Sequence, residues 1–533
     1  MEPVLLVHGY SAESASDEEA DVARIFGNLP KDLKEKLGPL IFDVNISRYV
    51  SLDDGVDLED ITLAFDRALK NEFPKLYTDG FNAIIHSTGA LVLRNWLRRC
   101  SPKPSPCRRI VHLAGANLGS GWAHIGETLL AKWLRFIGEG GKERGLAVLD
   151  GLELGSNWAF ELHRHFLQPG TAMREDYGVM EFSIVGSQPP PRNLIVPFRY
   201  GKEDGSDGVV RVAASNLNHH YLRIGPSRAP ENVQWDEAVD FSKRAVEASA
   251  AGNTADFSNA EAVFAGNYYT LLEENLPDEP PIRNAKPTGT PRPTVPFAIP
   301  YCCAHSTEEM GIVSGTATRQ EVLELIREAL NCPDHTAAAA LTAKFGELTA
   351  RTYDKVRPGT HIDHLSGLFD GAKRLVDDFI KSPQAQYDRH AQVSVRVRDQ
   401  HGNAINDCSI HFNSFGGGAR PRLLINELFE DTHQNKTSPD TTTFYLRRET
   451  WDGNINDWVD RLAQVNGVDF EIDCIDPKTQ RIVFVPLRMR LNTAVLGRYL
   501  KRHRATLIDV ELLRLPARDT FSMFAYRLDG STP

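Results

Sequence analysis

Short stretches from distant parts of the 533-residue chain carry the residue types that together cleave an acyl bond. The first is Ile84-Ile85-His86-Ser87-Thr88-Gly89-Ala90, between an apolar run and a helical pattern. A serine hydroxyl becomes a useful nucleophile when a tight strand-to-helix turn projects it from the sheet and a neighbouring base takes its proton. Such a turn needs small residues two positions away from the serine. Gly89 meets that need and Ile85 departs from it. The second stretch is Leu5-Leu6-Val7-His8-Gly9-Tyr10-Ser11, a short strand pattern ending in His-Gly. Its loop is placed to supply a backbone N–H to a developing oxyanion, so the Tyr10 and Thr88 amides are the expected donors.

The third stretch, Asp204-Gly205-Ser206-Asp207-Gly208, places an acid in a glycine-flanked turn. Asp207, rather than Glu203 or Asp204, is expected to orient a base. The base itself is expected at His305, in a loop shortly before an amphipathic helix, with His219 and His220 as competitors. Serine, acid and histidine thus occur in that chain order behind the oxyanion strand, and none of this chemistry calls for a metal or organic cofactor.

These groups meet only if surrounding elements bring them to one edge. Up to about residue 115 short apolar runs (Val4–Val7, 40–42, 81–85, 110–114) alternate with helical patterns, the arrangement of a parallel sheet with crossover helices. After the N-cap Asp57, the residues Ile61, Phe65, Ala68 and Leu69 share a helical face. Residues 125–137 form an apolar, aromatic helical stripe, expected as part of a cap over the sheet. Strand texture returns at 177–185 and 194–200, and the proline-punctuated segment 274–300 reads as an extended surface connection. Helices are expected from 318, around 337–353 and over 365–380. From Val393 onward, alternating runs at 393–399, 441–446, 469–475 and 482–487 predict a separate β-rich domain with a sandwich-like architecture.

Composition narrows the class of function. A hydrophobic share of 41% and a charged share of 25% are those of an ordinary globular protein. The net charge of -11 argues against nucleic acid as a partner. Seven cysteines without C-x-x-C spacing read as mostly free thiols. The first residues lack the pattern of a signal peptide, and no apolar run is long enough to span a bilayer, so synthesis in the cytoplasm is expected, with export by a signal-less route left open.

Val7-His8-Gly9-Tyr10, His86-Ser87-Thr88-Gly89, His112–Ser120, Ser206–Val210 and His305, taken together, resemble the α/β-hydrolase superfamily, and within it the serine lipases and phospholipases. The resemblance covers about residues 1–335 and implies an α/β-hydrolase fold, mostly parallel, flanked by helices and carrying helical cap insertions. The expected organisation is a catalytic domain over 1–390, with cap or lid insertions at about 116–175 and 225–300, followed by an all-β accessory domain over 391–533. The implied function is hydrolysis of carboxylic esters of lipids through an acyl-enzyme on Ser87. An acyltransferase using the same residues and a catalytically inert binding scaffold are the alternatives. A lipid or acyl-ester substrate, peripheral membrane contact and a protein partner for the C-terminal domain are the partners this reading entertains.

Overall fold

The computed structural model describes residues 2–9, 26–36, 44–47, 53–124, 145–189, 203–243, 263–277, 292–307, 309–316, 319–355, 388–414, 428–452, 454–465, 467–474 and 481–523. In chain order the strands before residue 300 are β1 (Val4–Val7), β2 (Val44–Ser47), β3 (Phe81–His86), β4 (Cys107–Leu113), β5 (Met180–Ile184), β6 (His220–Pro226), β7 (Val263–Phe264), β8 (Tyr269–Asn275) and β9 (Phe297–Ala298). Those that follow are β10 (Arg389–Asp399), β11 (Cys408–Ser414), β12 (Phe429–Gln434), β13 (Thr441–Asp452), β14 (Asp457–Asp460), β15 (Gly467–Cys474), β16 (Ile482–Phe484), β17 (Leu487–Asn492), β18 (Ala505–Leu512) and β19 (Arg514–Pro516).

Strands that are apolar at every position can bury both faces only in a parallel sheet covered by helices on each side. β1 is of this kind and β3 is apolar but for Asn82 and His86, and they lie inside a six-stranded sheet of order β2-β1-β3-β4-β5-β9 in which every pair is parallel. Alternate residues point to opposite faces. Leu5, Val7, Ala83 and Ile85 enter one core with the helices Leu58–Asn71, Gly89–Arg99 and Asn157–His165. Val4, Leu6 and Ile84 enter the other with the helices Arg319–Asn331 and His335–Lys355. Asp57 caps the first of these helices as expected, accepting from the Asp60 amide at 2.8 Å while Asp60 accepts from the Asp57 amide at 3.2 Å. The short β9 emerges from the proline-punctuated segment read as a surface connection. Its partner β5 donates the Ser183 amide to the Pro296 carbonyl at 2.9 Å. The strand expected at 40–42 lies outside the described residues; β2 follows it directly. The apolar stripe at 125–137, the strand at 194–200 and the helix at 365–380 also lie outside them.

The β-rich region consists of a seven-stranded mixed sheet, order β12-β13-β10-β18-β6-β8 with β14 beside β13, a four-stranded sheet, order β11-β15-β17-β7, and the antiparallel pair β16-β19. The two larger sheets share a core, seen where Phe412 of β11 meets Phe444 of β13 with ring centroids 5.0 Å apart. The sandwich-like texture is therefore as expected, but the boundary at 390 is crossed. β6, β7 and β8, from the stretch read as a cap insertion at 225–300 and the residues just before it, are strands of this region, and β6 runs parallel to β18. The reason lies in their side chains: Leu222 and Ile224 enter the sandwich core, whereas Tyr221 enters the core of the six-stranded parallel sheet. One face of the seven-stranded sheet thus packs on the parallel-sheet half of the molecule.

Cys408 and Cys474 stand opposite each other in the β11–β15 register and form a disulfide, S–S 2.10 Å. Sequence reasoning had no means of pairing residues 66 positions apart; the other five cysteines are free, as expected. Among the described residues no helix is long and apolar enough to cross a membrane.

Candidate active site

Ser87 follows the last residue of β3 and precedes the helix Gly89–Arg99. Its φ is +53°, a left-handed conformation that L-residues other than glycine adopt only where the surroundings enforce it. They do so here: the Ser87 amide donates to the Leu113 carbonyl at 3.2 Å, and the Ser87 carbonyl accepts from the Ala116 amide at 3.1 Å. The turn is also crowded by the end of β1. A Cβ on Gly9 would lie 2.7 Å from the Ser87 Cβ, and one on Gly89 would lie 2.7 Å from the His8 carbonyl oxygen and 2.8 Å from that of Val7. Ile85, the departure from small-residue spacing, is still within β3 and fully buried in the core beneath the helices, so its bulk is accommodated away from the turn.

Thr88 is buried at the N-cap of the helix Gly89–Arg99, where the backbone N–H groups and the positive end of the helix dipole favour developing negative charge. Tyr10 lies outside the described residues; β1 ends three residues before it.

Asp207 is completely buried. Its Oδ1 accepts from the amides of Val209 and Val210 at 2.9 and 2.8 Å, and its Oδ2 lies 2.8 Å from His305 Nδ1. The His305 amide also donates to the Asp207 carbonyl at 3.0 Å. With Nδ1 engaged, His305 keeps Nε2 for another partner. The His305 ring stands 4.8 Å, centroid to centroid, from the ring of His86, the residue before Ser87. The structure thus brings Asp207 and His305 into direct contact and sets His305 against His86, the residue before Ser87.

The competitors are engaged elsewhere. Glu203 binds Arg211 at 2.6 and 2.8 Å, and Asp204 accepts from the Asp388 amide at 3.0 Å. His219 packs against the ring of His163, and Arg292 donates to its carbonyl. His220 Nδ1 donates to the Tyr499 carbonyl at 3.1 Å. Burial, reinforced by nearby cations, holds both imidazoles below their ordinary range: His219 beside Arg292, and His220 near Arg504 at about 3. Among the described residues no cluster of three or more His, Cys, Asp or Glu side chains is arranged to hold a metal ion.

His86 was given no role by sequence reasoning, although it stood inside the serine motif. Its Nε2–H donates to the His305 carbonyl at 3.3 Å. Burial, with His305 and His8 adding repulsion, pushes the His86 imidazole well below its usual range. It is a neutral donor beside the candidate base.

A six-stranded parallel sheet, a serine on a strained strand-to-helix turn and an acid–histidine pair from later loops make this an α/β-hydrolase fold. Over its whole length the chain is similar in structure to phospholipase PlaB from Legionella pneumophila. One PlaB structure matches with a TM-score of 0.70 and 20% identity, covering 99% of this chain and 98% of that one. A second, in complex with thio-NAD, gives 0.68 and 21%, covering 99% and 96%. The Bacillus licheniformis lipase BlEst2 in its propeptide form covers 41% of this chain and 44% of its own, with 15% identity and a TM-score of 0.29. No family model and no curated protein matches. At these identities the likeness to PlaB is one of fold, and it includes the β-rich region.

Proposed function

We propose that the chain is a serine hydrolase that cleaves carboxylic esters of lipids, phospholipids among them, through an acyl-enzyme on Ser87. The observation that carries this reading is the 2.8 Å contact between Asp207 and His305, whose ring packs 4.8 Å from that of His86, the residue before a serine held at positive φ. The whole-length likeness to a phospholipase supports the choice of lipid esters.

In this mechanism the Ser87 hydroxyl oxygen attacks the ester carbonyl carbon as His305 Nε2 takes its proton. Asp207 holds the Nδ1–H, which fixes the tautomer and stabilises the imidazolium that forms. The Thr88 amide, with Tyr10 as the second donor, takes the negative charge that develops on the carbonyl oxygen. His305 then gives its proton to the leaving alkoxide, and the acyl-enzyme remains. Water, deprotonated by the same imidazole, attacks the acyl carbon and releases Ser87 and the acid. A neutral His86 suits this cycle, because a second charge 4.8 Å away would oppose the imidazolium.

The test is hydrolysis of a lipid panel, phosphatidylcholine and phosphatidylglycerol vesicles beside 4-nitrophenyl butyrate, by wild type and Ser87→Ala. Fatty acid release from vesicles that vanishes in the variant supports the reading. Turnover of the soluble ester alone would remove the lipid assignment, and equal turnover by the variant would remove the mechanism.

A further inference from the structure

We propose that Arg211 and Tyr445 form a clamp through which the β-rich region positions the Asp207 carboxylate, so that the base is oriented from the C-terminal half of the chain. The inference rests on the reading of Asp207 as the acid.

The turn that carries Asp207 is closed on itself. Ser206 and Arg211 form a β-bridge, and the Val212 amide donates to the Gly205 carbonyl at 2.9 Å. Its root is then gripped from outside. Arg211, almost wholly buried, lays Nε and Nη2 on the two oxygens of Glu203 and extends Nη2 to Asp431 of β12 at 2.6 Å. The guanidinium lies 4.1 Å from the ring centroid of Tyr445 in β13. Tyr445 donates its hydroxyl to the Asp204 carbonyl at 2.8 Å, with the Gly205 carbonyl at 3.1 Å. His390 of β10 stacks on Tyr445 with centroids 4.2 Å apart and planes 6° from parallel. Gly205, at φ +64°, is where the turn passes beneath these rings; a Cβ there would fall 2.5 Å from the Tyr445 hydroxyl. Asp388, just before β10, donates its amide to Asp204.

Strands β12 and β13, with Asp388 just before β10, therefore hold the turn on both sides of Asp207, at Arg211 and at Asp204 and Gly205. A buried arginine–carboxylate cluster is seldom the most stabilising way to fill a core, since apolar replacements of similar volume often do as well or better. What it supplies is direction: bidentate and stacked contacts fix an arginine and its neighbours in one geometry. Displacement of a reacting group by about 1 Å can cost on the order of 10²-fold in rate.

The experiment uses the full chain carrying Tyr445→Phe or Asp431→Asn, with Ser87→Ala as reference, and reads kcat and KM for 4-nitrophenyl butyrate against pH, alongside circular dichroism. The clamp predicts folded variants with kcat lowered about 10- to 100-fold and KM within about twofold of wild type. The acid limb of the kcat profile should move to lower pH, because the imidazolium loses part of its paired charge. Wild-type kcat and an unmoved profile in a folded variant would overturn the proposal, as would a loss that only follows the folded fraction. If Tyr445→Phe does not fold, Asp431→Asn carries the same expectation. Turnover that persists in Ser87→Ala would instead sink the underlying mechanism and leave the clamp as packing.

Discussion

His305 and Asp207 are joined twice, by the 2.8 Å bond between Nδ1 and Oδ2 and by a 3.0 Å bond from the His305 amide to the Asp207 carbonyl. The backbone bond fixes where the imidazole begins and the side-chain bond fixes how it turns. Asp207→Asn leaves the first intact. Its amide can still accept from Val209 and Val210 through oxygen, which presents an NH2 group to His305 and favours the wrong tautomer. The expected result is a fall in kcat on the order of 10⁴ with little change in Tm, measured on 4-nitrophenyl butyrate and by calorimetry.

Crowding at the serine turn predicts that its glycines tolerate no side chain. Gly89→Ala places a methyl 2.7 Å from the His8 carbonyl oxygen, a backbone atom that moves only if β1 moves. A loss of about 1–3 kcal/mol in stability is expected, together with reduced turnover, because β1 also leads to the oxyanion loop. Urea unfolding and kcat of the same preparation check both, and an unchanged pair of values would contradict the close approach.

Stability should fall on mild acidification. Burial, aided by Arg94, holds His163 at about 3, and burial, aided by Arg504, holds His220 at about 3. Unfolded histidine titrates near about 6.5, so between these values the unfolded chain binds protons that the folded chain refuses, and stability drops as pH falls. Asp388 has the opposite sign: burial raises it to about 6, so its contribution is complete at low pH and is lost as pH rises through 6. From pH 7 to pH 5 each of these two histidines costs about 2 kcal/mol, and Asp388 offsets part of that loss. Tm should decline over that interval; a flat or rising Tm would show that the histidines are not held neutral.

Ending the chain at residue 387 should do more than remove an accessory domain. It strips β6 of its parallel partner β18 and opens the core around Leu222 and Ile224. Turnover of a short soluble ester and of vesicles should be lost together. Full activity on the soluble ester, with loss on vesicles only, would mean that the β-rich region serves targeting and not the fold.

Much of the candidate site was legible because its residues follow elements with strong local signatures. Ser87 stands where an apolar strand meets a helix, and Asp207 and His305 sit in loops before recognisable turns and helices. Ile85 read as a fault because spacing alone does not show that its side chain leaves the turn for the core. The strands β6 and β8 were hidden for another reason. Their partners lie far along the chain, and a pairing such as Leu222 with Ile508 leaves no local periodicity to read. The Arg211–Tyr445 contact and the role of His86 were invisible on the same ground, since each is defined by a residue that folding brings from elsewhere.

The central claim is that one serine, activated by His305, forms a covalent acyl intermediate. A fluorophosphonate probe reacts with such a serine, and peptide mass spectrometry locates the adduct. The account predicts a single adduct on Ser87, lost in Ser87→Ala and strongly slowed in His305→Ala. An adduct on another residue, or no labelling of the folded wild-type chain, would contradict it.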